Sequence, residues 1–286
     1  MIDKVQAFSL KRLWFMLSLA ATPCLLAKQE AKPYQIAENH VIIRFAEKRE
    51  EAAAREILPF IAGARDELLK KYPFDLATPV EIRLSTTTYE FCQVTGRPWW
   101  QASVYRDRVI YLQPLRVLRE RGILENTLRH ELMHQLADAI SKGHCPIWLS
   151  EALAVYHSGE IALLKPARKK AEQVELKWNA LEKRLEKMPS RAESERLYFQ
   201  LYHLGQFFES NFNARQIQAL LQTLARTVSF NQACQEVFGI NAAELERRWL
   251  SHWTDKIMGS NGLRIPGLRQ DGFDEASARL APKSTR

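Results

Sequence analysis

The sequence predicts an α+β chain with a mixed N-terminal half and an all-helical C-terminal half. Three observations lead there. The β-branched or alternating runs His40–Ala46, Pro79–Leu84 and Val109–Leu112 all precede the midpoint of the 286 residues. Apolar residues at helical spacing fill Leu124–Ile140 and Trp148–His157, then Leu197–Phe212, Ala214–Thr227 and Ala242–Met258. No period of 20–50 residues repeats, which excludes a solenoid or propeller.

In chain order, residues 1–12 end on Lys11 and Arg12, and Leu13–Ala27 is then almost wholly apolar. A basic stretch before a short apolar run is the pattern of a secretory signal peptide, and the run is short for a bilayer span of about 20 residues. Cleavage after Ala27 would place Leu25, not a small residue, at the −3 position, so an uncleaved N-terminal anchor is the alternative. Either way the chain is expected to be exported, to the periplasm or the extracellular space, with membrane association through this segment. The strand His40–Ala46 leads into a long amphipathic helix, Arg49–Tyr72, whose Ile57, Phe60, Ile61, Ala64 and Leu68 share a face and whose Pro59 is expected to kink it. Strands Pro79–Leu84 and Val109–Leu112 follow, the second closed by Pro114. The helix Leu124–Ile140 takes Asn126 or Thr127 as its N-cap, Gly143 stops it, and Pro146 opens the helix Trp148–His157. Glu160–Arg196 is dense in charges of both signs and reads as solvated helix, interrupted at Pro166 and Pro189. Gly259–Arg286 has no apolar period and reads as a flexible tail. The organisation expected is residues 1–27 as signal or anchor, 32–159 as a mixed core, 160–258 as a helical subdomain and 259–286 as tail.

Composition narrows the function classes. The chain is 46% hydrophobic and 26% charged, so it can bury a core. Of the net charge of +8, residues 1–28 hold +3 and residues 259–286 hold +2, leaving +3 on the body. That is too little for a nucleic-acid groove, and no basic stripe with interleaved aromatics occurs. Beyond the N-terminal segment three cysteines remain, Cys92, Cys145 and Cys234. In an oxidising space at most one pair can close; Cys92–Cys145 is the pair favoured, with buried free thiols as the other reading.

The chemistry is concentrated in His130-Glu131-Leu132-Met133-His134. On a helix, positions i and i+4 share a face, so the two imidazoles converge on one point, as a tetrahedral Zn²⁺ requires. Glu131 sits one position round, where it can reach a metal-bound water. A third ligand is needed. Ile140 occupies the place where a third histidine six residues on would stand, and His144 lies across a glycine loop. Asp138 either orients His134 or is simply a solvated acid. Glu151 is the better candidate, as the acid inside the otherwise apolar WLSEALAVY.

His-Glu-Leu-Met-His followed by Trp-Leu-Ser-Glu-Ala-Leu-Ala resembles the gluzincin zinc metallopeptidases, more narrowly the peptidase MA-like group, whose second helix reads Trp-x-x-Glu-Gly-Leu-Ala; here Ala152 replaces the glycine. The resemblance covers roughly residues 40–255, with the two central motifs its specific part. It implies a thermolysin-like zincin fold with a central motif helix. It also implies His130, His134 and Glu151 as Zn²⁺ ligands, Glu131 as general base and acid, and a peptide or protein substrate. Val109–Leu112 would be the edge strand that pairs with that peptide. Tyr202 would be the oxyanion donor, with Tyr198 and His203 as rivals. Gln93–Val104, with its GRPWWQ run, either walls the cleft or packs beneath it. A catalytically silent binding or assembly module of the cell envelope is the competing function; a pure scaffold has no need of Glu131.

Overall fold

A computed structural model describes residues 33–160, 177–187 and 189–255. The expectations for residues 1–27, for the stretch around Pro166 and for the 259–286 tail lie outside these described residues. Among them, no helix is long and apolar enough to cross a membrane.

Five strands form one mixed sheet in the order β1-β2-β3-β5-β4. β1 (Tyr34–Glu38) and β2 (Val41–Phe45) make an antiparallel hairpin over Asn39 and His40, both at positive φ, as a two-residue turn of this hand requires. In β2, Val41, Ile43 and Phe45 alternate inward, whereas only Ile36 of β1 is buried. The helix α1 (Glu51–Lys71), with Pro59 inside it, returns the chain to β3 (Val80–Leu84), which lies parallel to β2. After α2 (Thr88–Thr95), β4 (Ser103–Arg106) and β5 (Val109–Leu112) form a second hairpin over Asp107 and Arg108, again both at positive φ. β5 pairs with β3 on its other side. The sequence-based expectation of an edge at Val109–Leu112 is therefore corrected: β5 is interior, and the free edge belongs to β4. The four residues SVYR carried too short a pattern to reveal that strand.

The rest is helical: α3 (Leu115–Glu120), α4 (Leu124–Ser141), α5 (Ile147–Ser158), α6 (Trp178–Glu186), α7 (Arg191–Asn211), α8 (Ala214–Thr227), α9 (Phe230–Phe238) and α10 (Ala242–Trp253). Ser190, Asn213, Ser229 and Asn241 cap α7 to α10, each accepting from the backbone N–H three residues on. α7 runs unbroken through the boundary expected at Arg196, because Ser190 rather than Leu197 starts it. α4 begins before Asn126, whose side chain instead donates to the Ser158 carbonyl at the end of α5 (2.7 Å).

α4 is shared between two cores. Leu128 and Leu132 pack with the sheet and α1. Met133, Leu136, Ala137 and Ile140 pack with α5 and the C-terminal helices. The remaining face, which carries His130 and His134, is left to a cleft between the two. α5 and α7 approach closely at Gly205, where a Cβ would run into the Ala152 carbonyl and lie 2.7 Å from Tyr156 Cβ. Gly205→Ala should therefore cost about 1–3 kcal/mol through overpacking, read as a lower urea midpoint. Nearby, Glu209 of α7 accepts from Tyr72, from His157 (2.8 Å) and from Lys71 (2.7 Å), tying α1, α5 and α7 together. Burial raises the Glu209 pKa, but these three partners outweigh it and hold the carboxyl at about 2.

The favoured cysteine pairing is also corrected: Cys92, Cys145 and Cys234 are all free thiols. Burial pushes the Cys234 thiol up to about 12, which makes it an inert core residue.

Candidate metal centre

Two consecutive helices build the centre. α4 presents His130 and His134 one turn apart, and α5 presents Glu151 beside them. His130 Nε2 lies 3.0 Å from His134 Nε2, and these nitrogens lie 3.5 and 3.6 Å from the Glu151 carboxylate oxygens. The edge of a tetrahedron with bonds of about 2.0–2.1 Å is about 3.3–3.4 Å, so the three donors are already spaced for one ion. Glu151 Oε2 is buried without a hydrogen-bond partner, as a carboxylate oxygen reserved for a cation would be. The residues present fit a divalent metal.

Electrostatics agree. Burial disfavours the charged form of His130, but Glu160 and Glu151 outweigh it and hold its pKa well above the usual imidazole range. Burial, with the His130 charge adding to it, takes His134 down to about 4 against the pull of Glu151. Glu151 is raised by burial but lowered more by the two histidines, to about 2. The two imidazoles are thus pushed in opposite directions beside a carboxylate held ionised, an arrangement of facing nitrogens and negative charge that suits a cation.

The outer nitrogens face polar partners, one in hydrogen-bond contact and the other, His130 Nδ1, only at ion-pair distance. His134 Nδ1 meets Ser150 Oγ at 2.7 Å, and His130 Nδ1 lies 3.5 Å from Glu160 Oε1. Such partners fix a ligand's tautomer and ring orientation. Asp138 does not orient His134: it accepts from Tyr105 OH at 2.9 Å and so ties α4 to the edge strand. His144 is exposed in the loop after α4 and stands outside the cluster.

Glu131 is buried and accepts from Ser103 Oγ of β4 at 2.5 Å, while its Oε2 has no partner. Burial raises its pKa to about 7, against the lowering by His130 and Ser103. Both the trio and Glu131 open onto a cleft of about 800 Å³. β4, with Ala102 to Tyr105, forms one rim, and the first turns of α7 the other. Tyr198 of α7 stacks on His130, with ring centroids 5.9 Å apart, and lines the cleft. Tyr202, one turn on, packs instead against Tyr156 and His203 and is not among the lining residues. The tyrosine at the centre is therefore Tyr198. Glu151, then burial, raise its pKa well above the phenol range and keep its O–H protonated. Four contributors were missed from the sequence: Ser103, Ser150, Glu160 and, as first choice, Tyr198. Only Ser150 carried a signal, as the residue before Glu151.

This geometry defines a buried two-histidine, one-carboxylate centre at the floor of a cleft with a free strand edge. The sequence model of the peptidase MA superfamily matches residues 93–255, and the chain belongs to that superfamily. The match spans both motif helices and most of the helical half. It makes the protein a peptidase-type enzyme of a generally metal-dependent superfamily. Comparison with curated protein sequences finds no match.

Proposed function

We propose that the protein is a zinc-dependent peptidase of gluzincin type, with a thermolysin-like arrangement of sheet, motif helix and C-terminal helices. The observation that carries this reading is the convergence of His130, His134 and Glu151 at tetrahedral spacing, with the Glu131 carboxylate beside them. His130, His134 and Glu151 would hold the ion. When bound, zinc polarises the scissile carbonyl and lowers the pKa of its water to about 7.

The chain's own residues do the rest. An extended substrate adds to the free edge of β4, its backbone pairing with the strand as in β-augmentation. The unpartnered Oε2 of Glu131 takes a proton from the attacking water and returns it to the departing amine. Ser103 holds the other oxygen, so the carboxylate keeps one orientation through both transfers. The protonated Tyr198 hydroxyl donates to the carbonyl oxygen as negative charge builds there. Hydrolysis of a broad peptide library, abolished by a chelator and restored by added zinc, tests the reading. Persistence of cleavage in the metal-free protein would refute it. Tyr198→Phe should lower kcat by about 10²–10³-fold with little change in KM, as loss of one oxyanion donor does. Tyr202→Phe should leave kcat within about twofold, since that ring lies in the aromatic packing behind the cleft.

Export through residues 1–27 is part of the proposal, supported by the basic-then-apolar pattern of that segment. Fractionation with and without it separates a cleaved signal from a retained anchor. The silent-module alternative predicts binding without chelator-sensitive turnover.

A further inference from the structure

The segment Gly96–Gln101 is built more firmly than a connecting loop requires. Gly96, at φ 70°, ends α2 in the left-handed conformation and turns the chain toward the cleft. Three successive carbonyls are then held by side chains. Gln113, fully buried, donates to Trp99 O (2.6 Å) and to Gln101 O, and Arg121 donates to Trp100 O (3.0 Å). The Arg97 N–H is held by Thr95 Oγ1 at 3.2 Å. This fixed loop delivers the half-buried Arg97 to the cleft wall, close enough that both Glu151 and Tyr198 feel its charge. Arg121 also lines the cleft, its pKa lowered first by burial and then by the nearby charge of Arg191. Arg191 has Glu195 at 3.3 Å; neither Arg97 nor Arg121 has an acid within ion-pair distance among the described residues. A guanidinium on the cleft wall that feels the Glu151 charge but has no carboxylate in ion-pair contact keeps its fork open for a carboxylate's two oxygens.

We propose that the Arg97–Arg121 wall binds a carboxylate of the substrate next to the scissile bond, supplied either by an Asp or Glu side chain or by the peptide's C-terminus. The inference rests on the peptidase reading and narrows it to a substrate class. GRPWWQ is then a wall of the cleft, not padding beneath it.

The test uses the full-length, zinc-loaded protein and quenched fluorescent peptides, each prepared as the C-terminal acid and amide and with Asp and Asn at each position. The form carrying the recognised carboxylate should be cleaved with a KM at least about tenfold lower than its neutral counterpart, as for a charge-assisted hydrogen bond. Whether acid/amide or Asp/Asn shows the difference tells the two sources apart. Arg97→Ala should erase the preference through KM, with Arg97→Lys restoring part of it; Arg116→Ala, on α3 and paired to Glu120, should leave it intact. The same peptides are titrated by fluorescence anisotropy against Glu131→Gln, where binding is read without turnover. Equal binding of neutral and anionic forms, or a preference that survives Arg97→Ala, overturns the inference whatever the rates. Selective binding through Arg97 with no hydrolysis by the wild-type protein would sink the peptidase reading and leave this one standing.

Discussion

Glu131→Gln should reduce peptide hydrolysis by about 10²–10⁴-fold, the usual worth of a positioned general base, and leave metal content unchanged. The two outcomes separate because of where the residue sits. Glu131 follows His130 on α4 but projects one position round from the two imidazoles, and its oxygens are not among the three donors that converge. Glutamine keeps the shape and can still accept from Ser103, so the fold and the cleft wall survive. What it loses is the ability to take a proton at the oxygen that now has no partner. Wild-type turnover by this variant would remove Glu131 from the proton transfers. Loss of metal together with activity would mean that Glu131 acts on the ion and not on the water.

The parts of this centre that sequence could reveal are those set by local geometry. A helical turn brings residues i and i+4 together whatever else the chain does, so His130 and His134 could be paired before any tertiary structure was known. Glu151 stood out because a carboxylate inside WLSEALAVY conflicts with its apolar neighbours. The partners that tune these residues come from elsewhere: Ser103 from a four-residue edge strand, Glu160 from beyond the end of α5, Tyr198 from a helix starting some thirty residues after it. None has a spacing signature, because sheet pairing and helix packing, not chain periodicity, place it. Tyr198 and Tyr202 are one turn apart on α7 and indistinguishable by period; only the stacking of one ring on His130 decides between them. The same limit hid β1, with a single buried residue, and α2, whose TYEFCQVT favours strand by composition and becomes helical through the Thr87 cap and the Gly96 stop.

Glu151→Ala should weaken zinc binding by well over 100-fold, beyond the 10–100-fold that loss of an outer partner costs. The reason is charge as much as geometry. The trio holds one net negative charge for the ion when both imidazoles are neutral, and Glu151 carries all of it. Without that carboxylate the facing nitrogens of His130 and His134, 3.0 Å apart, would offer two neutral donors to a divalent ion in a buried site. Glu160→Gln provides the scale. Its carboxylate stands behind His130 at 3.5 Å, so its loss should loosen the ring and cost about 10–100-fold in affinity while leaving the stoichiometry at one. Metal analysis after dialysis against a weak chelator distinguishes the pair: near-zero zinc for Glu151→Ala, near-full zinc for Glu160→Gln until the chelator is strengthened. Equal retention by both would place Glu151 outside the ligand set, and with it the carboxylate that sets this centre apart from two histidines on an ordinary helix.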